Sequence, residues 1–299
     1  MEQSGPQLYQ EELKRCRKLY HGFKEIEPFL EEIISEVLSF FNEHEAKEEM
    51  LEKDIVDKKK AHSHWRKGRS LAIRPRIRTH SFLELLQRLG EALIRVNPRL
   101  EPAMEELKNL LEDFRENNPE KVDRDQVFKL QDLMVEKGVL EKDMATLLFS
   151  VALGSIFSCN LEKIREGLRT DLWEGGNCGL CGEKPHYGML RSEDGAKVLE
   201  CWLCGTRWVH TRIKCPFCAN TQQEELGFFS LEDKSSCRVH FCRECSSYYK
   251  IIDARQIAGN RIVLPIHNLA SLTHDVLARE EGFSPGSGLH WVPEGEEVN

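Results

Sequence analysis

Cys178-Gly179-Leu180-Cys181, Cys201-Trp202-Leu203-Cys204, Cys215-Pro216-Phe217-Cys218 and Cys242-Arg243-Glu244-Cys245 set four C-x-x-C pairs within 68 residues. Two thiolates separated by two residues lie on one tight turn. Two such turns, brought together by short strands, supply four sulfurs in a tetrahedron, which suits zinc or a single iron of the rubredoxin type. The residue after each second cysteine is small: Gly182, Gly205, Ala219 and Ser246. That choice fits a backbone that must turn tightly or enter the left-handed region, where a β-branched side chain is poorly tolerated.

Spacing favours sequential pairing. Nineteen residues separate Cys181 from Cys201, within the C-x2-C-x15–20-C-x2-C pattern of zinc ribbons. Twenty-three separate Cys218 from Cys242, which a longer hairpin spans. Interleaved pairing stays open, because only ten residues link Cys204 to Cys215. A single C-x-x-C would be weak evidence and equally compatible with a redox dithiol. Four pairs in one stretch poor in large aliphatic residues argue for metal, since a structural zinc site contributes on the order of 10–16 kcal/mol of apparent binding energy to folding. The predicted ligands are therefore Cys178, Cys181, Cys201, Cys204, Cys215, Cys218, Cys242 and Cys245, holding two metal ions, iron or zinc.

Three of the eleven cysteines remain. Cys16 and Cys159 are expected to behave as small buried apolar residues. Cys237 and His240, just before the fourth pair, are read as a surface thiol and a strand histidine rather than substitute ligands. His62, His64 and His80 show no paired metal spacing.

The 299 residues are 40% hydrophobic and 31% charged, with a net charge of −8, a length that suits two domains or one large domain with a substantial core, and too apolar for a disordered chain. Met1-Glu2-Gln3-Ser4-Gly5-Pro6 has neither a basic nor an apolar signal region, so a cytoplasmic protein without a disulfide framework is expected. The most apolar run, Met144 to Cys159, falls short of the roughly 20 residues of a membrane span and is read as a buried helix.

Helical spacing dominates the first half. Apolar residues recur at three- and four-residue steps in Phe29-Leu30-Ile33-Ile34-Val37-Leu38-Phe41, Phe82-Leu85-Leu86-Leu89-Leu93, Met104-Leu107-Leu110-Leu111-Phe114 and, more briefly, Val127-Leu130-Leu133-Met134. Asn97-Pro98 and Asn118-Pro119 punctuate them, because the residue before proline avoids the α region. Residues 58–83 hold nine Lys/Arg and no acid, leaving 33 basic residues against all 50 acidic ones elsewhere. Such a segment is either a solvated connector or a docking surface for an acidic partner or nucleic acid. Little aromatic interleaving beyond Trp65 and a pI near 5.8 weigh against nucleic acid.

After a break at Asp171–Gly176 the pattern becomes strand-like, in Val198-Leu199, Trp208 to Ile213, Leu226 to Phe229 and Tyr248 to Ile252. Asn268 to Glu281 returns to helical spacing with Gly282 as a C-cap, and a Gly- and Pro-rich tail follows. The predicted fold class is α+β: an N-terminal all-α bundle over 1–172, two rubredoxin-like or zinc-ribbon β modules over 173–256, and a C-terminal helix and tail over 257–299 packing back on them.

Residues 178–281 resemble the formate dehydrogenase accessory protein family, FdhE. The likeness runs through Cys178-Gly179-Leu180-Cys181-Gly182, Cys201-Trp202-Leu203-Cys204 with Trp208, and Arg212-Ile213-Lys214-Cys215-Pro216-Phe217-Cys218. It closes with Cys242-Arg243-Glu244-Cys245-Ser246-Ser247-Tyr248-Tyr249-Lys250, Leu269-Ala270-Ser271-Leu272, Asp275 and Glu281-Gly282. In the helical half the similarity is general, chiefly a basic segment leading to Arg74-Pro75. Arg207 stands where an acid commonly precedes the tryptophan, His240 replaces an acid, and Gly179 takes a place where proline is frequent. These departures bear on the partner surface and redox tuning; all eight cysteines are kept.

The resemblance implies a cytoplasmic, non-enzymatic factor that binds the catalytic subunit of a formate dehydrogenase and promotes its assembly or activation, with rubredoxin-like centres and no small-molecule substrate. Asp275 and Tyr248 are candidates for its partner surface, with a framework role as the alternative. Two other readings are a zinc-ribbon nucleic-acid-binding protein and a thiol redox protein.

Overall fold

The computed structural model describes residues 5–20, 23–43, 58–73, 76–165, 167–231, 235–257 and 262–287. Arg74-Pro75 and the tail beyond residue 287 lie outside them. The helices of the first half are α1 (Gly5–Leu19), α2 (Phe23–Glu43), α3 (Lys58–Arg66), α4 (Thr79–Val96), α5 (Glu101–Asn117), α6 (Arg124–Glu136) and α7 (Lys142–Arg165). Two short strands, β1 (Ile77–Arg78) and β2 (Lys121–Val122), pair antiparallel among them. The chain clusters into two compact units: Met1–Glu11, Lys24–Ile55 and Arg74–Glu166 form the first, and Glu12–Phe23, Val56–Ile73 and Gly167–Asn299 the second.

In the first unit α4 packs on α5 and α7, and α7 also packs on α6. The predicted stripes supply the contacts: Leu85, Leu86, Leu89 and Leu93 of α4, Leu107 and Leu111 of α5, and Val127, Leu130 and Met134 of α6 are all buried. Phe114 of α5 is half-buried, and Leu133 is exposed on the outer face of α6. Both Asn-Pro dipeptides mark boundaries as expected, α4 ending at Val96 and α5 at Asn117. Asp123 then opens α6 with a capping box, its carboxylate accepting from the Gln126 amide at 2.9 Å while its own amide donates to Gln126 Oε1 at 3.0 Å. Helix α7 is longer than the apolar run it contains, and its Lys142–Cys159 window is apolar and long enough to cross a membrane. Just over half of that window, 56%, is buried within the protein, with Leu148, Phe149, Ala152, Leu153 and Ile156 inaccessible to solvent. Packing against α4 and α6 accounts for its composition.

The second unit is built on one sheet. Strands β3 (Pro185–Leu190), β4 (Lys197–Cys201), β5 (Arg207–Val209), β6 (Leu226–Phe229), β7 (Cys237–Cys242) and β8 (Ser247–Asp253) lie in the order β5-β4-β3-β8-β7-β6, with β9 (Ser284–Pro285) added along β8. Neighbours pair antiparallel except at β3–β8, where Gly188 faces Ile251 in parallel register and joins the two halves, and at β8–β9. Both predicted β modules thus share one hydrogen-bonded sheet. Helices α8 (Leu264–Ala270) and α9 (Leu272–Glu280) replace the single C-terminal helix predicted, broken at Ser271. Gly282, at φ 85°, ends α9: its amide bonds Arg279 and the next amide bonds Ala278, the paired contacts of a Schellman cap.

The residues of α1 in this unit anchor to α8. Glu12 Oε1 lies 2.7 Å from His267 Nε2 and accepts from the Val263 amide at 3.0 Å, while Tyr20 Oη meets His267 Nδ1 at 2.7 Å.

Candidate metal centres

The first three C-x-x-C pairs fold as the same small turn. The amides of Gly182, Gly205 and Ala219 donate to the carbonyls of Cys178, Cys201 and Cys215 at 2.9–3.1 Å. A second bond closes each loop, from Cys178 to Glu183, from Cys201 to Thr206 and from Cys215 to Asn220. All four residues after the second cysteines have positive φ: 85° at Gly182, 63° at Gly205, 63° at Ala219 and 49° at Ser246. The small residues at these positions are explained by this backbone, which a bulkier side chain would strain.

The turns come together in sequential order. Cys178, Cys181, Cys201 and Cys204 form site A, at the ends of β3 and β4, and Cys215, Cys218, Cys242 and Cys245 form site B, at the ends of β7 and β8. Neighbouring sulfurs stand 3.5–3.6 Å apart in site A and 3.7 Å apart in site B. A metal–sulfur bond of about 2.3 Å in a tetrahedron requires sulfur–sulfur edges of about 3.8 Å. The donor set therefore fits a tetrahedral thiophilic ion at each site, and zinc and iron meet it equally.

Electrostatics point the same way. Burial disfavours the Cys178 thiolate, but hydrogen bonds from Cys181, Cys201 and Cys204 hold its pKa well below the usual thiol value. The bond to Cys178 raises Cys181, and burial raises Cys201. Four thiolates in this setting ionise together only with a cation between them.

The sites differ in access. All four sulfur-bearing residues of site A are 0% exposed. In site B Cys215 and Cys242 are buried, Cys245 is half-buried and Cys218 is exposed. Thr206 Oγ1 lies 3.1 Å from Cys204 Sγ, while Asn220 Nδ2 donates to Cys242 Sγ at 3.8 Å.

Site A is strapped by the basic segment. Trp65 Nε1 donates to the Gly179 carbonyl at 2.8 Å, the Leu71 amide to the same carbonyl at 2.8 Å, and the Ile73 amide to Leu180 at 3.0 Å. A Cβ at Gly179 would lie 2.9 Å from Trp173 Cγ and 3.0 Å from Trp65 Nε1, which accounts for glycine where the resemblance leads one to expect proline. No periodicity in residues 58–73 announces this strap; the isolated Trp65 is its one sequence signal.

Other singled-out residues find structural places. Cys237 is fully buried in β7 rather than on the surface, and burial pushes its thiol up to about 12. His240 stacks between Phe228 and Tyr249, both 5.6 Å away, and burial lowers its pKa to about 3. Arg207 pairs with Glu200 at 2.5 Å and donates to the Ile262 carbonyl at 3.0 Å. Tyr248 and Asp275 are not surface residues: both are buried and bonded at 2.9 Å, with Lys250 on the other carboxylate oxygen. Lys197, unremarked in the sequence, is buried beside site B, donating at 3.1 Å to the carbonyls of Arg212 and Lys214 and to Tyr249 Oη; burial lowers its pKa to about 8.

No family model matches the chain. Among curated proteins, the chain is 28% identical over 165 residues to "Protein FdhE homolog" of Aquifex aeolicus, covering 54% of this chain and 56% of that protein. It is 34% identical over 113 residues to the protein of the same name from Pectobacterium atrosepticum, covering 37% of this chain and 35% of that one. The chain thus matches about half or less of the length of these relatives. Among solved structures, the crystal structure of the FdhE protein from Pseudomonas aeruginosa shares the fold, with a TM-score of 0.64 and 22% identity over 96% of this chain and 95% of that one.

Proposed function

We infer that this chain, whose curated relatives and solved structural counterpart support the FdhE family, is an accessory factor for a formate dehydrogenase. In this reading it works in the cytoplasm, binds the catalytic subunit of the enzyme and promotes its maturation or activation without catalysing a reaction itself. Cys178, Cys181, Cys201 and Cys204 would hold one metal ion, and Cys215, Cys218, Cys242 and Cys245 a second.

The observation that carries this reading is the paired arrangement of two four-thiolate clusters on one continuous sheet. Iron would bring one-electron chemistry to these sites, and zinc a purely structural role. The protein's own contribution is to fix eight thiols on rigid turns and to shield site A from solvent, leaving site B accessible through Cys218.

The test is capture of tagged protein from cells expressing a respiratory formate dehydrogenase, under anaerobic conditions, followed by identification of bound subunits. Recovery of the catalytic subunit, with reduced formate dehydrogenase activity in cells lacking the chain, is the expected result. Failure to recover that subunit, with enzyme activity intact in the deletion strain, would overturn the assignment.

A further inference from the structure

Residues 65–73 make an unusual connection. They leave α3 and run along the first C-x-x-C turn of site A, fixed by the three bonds from Trp65, Leu71 and Ile73 to Gly179 and Leu180. Between the two strap amides, Ala72 adopts φ 49°, a left-handed conformation that a non-glycine residue holds only when its surroundings impose it. Within the strap the Ala72 amide donates to Ser70 Oγ at 3.1 Å, and the bonds to Gly179 and Leu180 tie this shape to the turn beneath it.

Its outer side is basic. Arg66, Lys67 and Arg69 are exposed, and among the described residues no carboxylate lies within ion-pair distance of any of them. Trp65, the one aromatic ring in this run, is 3% exposed and committed to Gly179, so the strap offers no ring on which a nucleobase stacks. Uncompensated cations on a surface without stacking rings, in a chain of net charge −8, fit carboxylates better than nucleic acid.

We propose that the strap over site A is a docking surface for an acidic segment of a partner protein, with Arg66, Lys67 and Arg69 as its contacts. The proposal deepens the accessory-factor reading and rests on it only in requiring a protein partner. Because the strap is anchored to the Gly179 and Leu180 carbonyls, docking depends on an intact site A turn.

The test uses full-length, metal-loaded protein and a fluorescein-labelled poly-L-glutamate peptide, read by fluorescence anisotropy at several salt concentrations. Wild type binds with an affinity that falls as salt rises. Arg66→Glu/Lys67→Glu/Arg69→Glu raises the dissociation constant at least about tenfold with metal content unchanged. Arg99→Glu/Lys129→Glu/Lys137→Glu makes the same change in net charge at exposed positions elsewhere and leaves binding within about twofold of wild type. Leu71→Pro removes one strap bond without touching a charge or a cysteine, and weakens binding by several-fold.

Equal weakening by both charge-reversal variants would overturn the proposal in favour of a net-charge effect. Undiminished binding by the strap variant would overturn it outright, as would tighter binding of a single-stranded oligonucleotide of matched charge. None of these outcomes requires formate dehydrogenase, so the docking surface and the identity of the partner fail independently.

Discussion

The indole nitrogen of Trp65 donates a 2.8 Å hydrogen bond to the carbonyl of Gly179, inside the first C-x-x-C pair and 114 residues away in sequence. A side chain from the basic segment thereby fixes the backbone that presents Cys178 and Cys181. Trp173, with its ring centroid 6.4 Å from that of Trp65, completes the cover.

Gly179→Ala places a methyl group into this cover and is expected to destabilise the protein by about 1–3 kcal/mol, the usual cost of overpacking a filled site. Urea denaturation of the metal-loaded protein measures it. The altered indole environment should also shift the tryptophan emission.

Metal release is expected to be unequal. Site A is fully buried, whereas site B reaches solvent through Cys218 and partly through Cys245. Transfer of zinc to a chromophoric chelator should follow two phases, with site B emptying first. Cys218→Ser should abolish or accelerate the fast phase and leave the slow one unchanged.

Acid should weaken the fold before the carboxylates titrate. Burial, and then the charges of Lys197 and Lys214, lower His210 to a pKa of about 4; burial, and then Lys250, lower His274 likewise to about 4. Both side chains take up protons near 6.5 when unfolded, so the unfolded state gains protons first as pH falls. Their contribution is complete above about pH 6.5 and is lost as pH falls toward 4, by at most roughly 3 kcal/mol for each histidine. Denaturation at pH 7 and pH 5 checks the slope, and His274→Gln should reduce it.

Lys250 and Asp275 are each 1% exposed and paired at 2.5 Å. Asp275→Ala leaves a buried ammonium without its partner and is expected to cost about 3–5 kcal/mol. Lys250→Met/Asp275→Leu should recover most of that loss, because replacing both charges removes the desolvation penalty as well. Thermal unfolding of the two variants against wild type distinguishes the cases.

The sequence was most legible where chemistry repeats. Four C-x-x-C pairs, each followed by a small residue, announced turns whose positive φ the structure bears out at Gly182, Gly205, Ala219 and Ser246. Helical stripes were equally readable, because α4, α5 and α6 each bury one face. Strands β3 and β7 were not. Pro185-His186-Tyr187-Gly188-Met189-Leu190 contains poor strand formers and owes its place to pairing with β4 and β8 on both sides. Trp208 to Ile213 reads as one strand, yet β5 ends at Val209 because the chain turns away toward Cys215. The basic charge of the strap is plain in the sequence but its seat on site A is not: its bonds to Gly179 and Leu180 are backbone and indole contacts across distant residues, and such contacts leave no periodic trace.

The central claim is that the eight cysteines hold two separate metal ions. Metal analysis and a visible spectrum of anaerobically purified wild type, Cys178→Ser and Cys215→Ser measure it most directly. Two metal atoms per chain in wild type and one in each variant is the predicted result, with thiolate charge-transfer bands if the metal is iron. Metal-free wild type with all eight thiols open to rapid alkylation would contradict it.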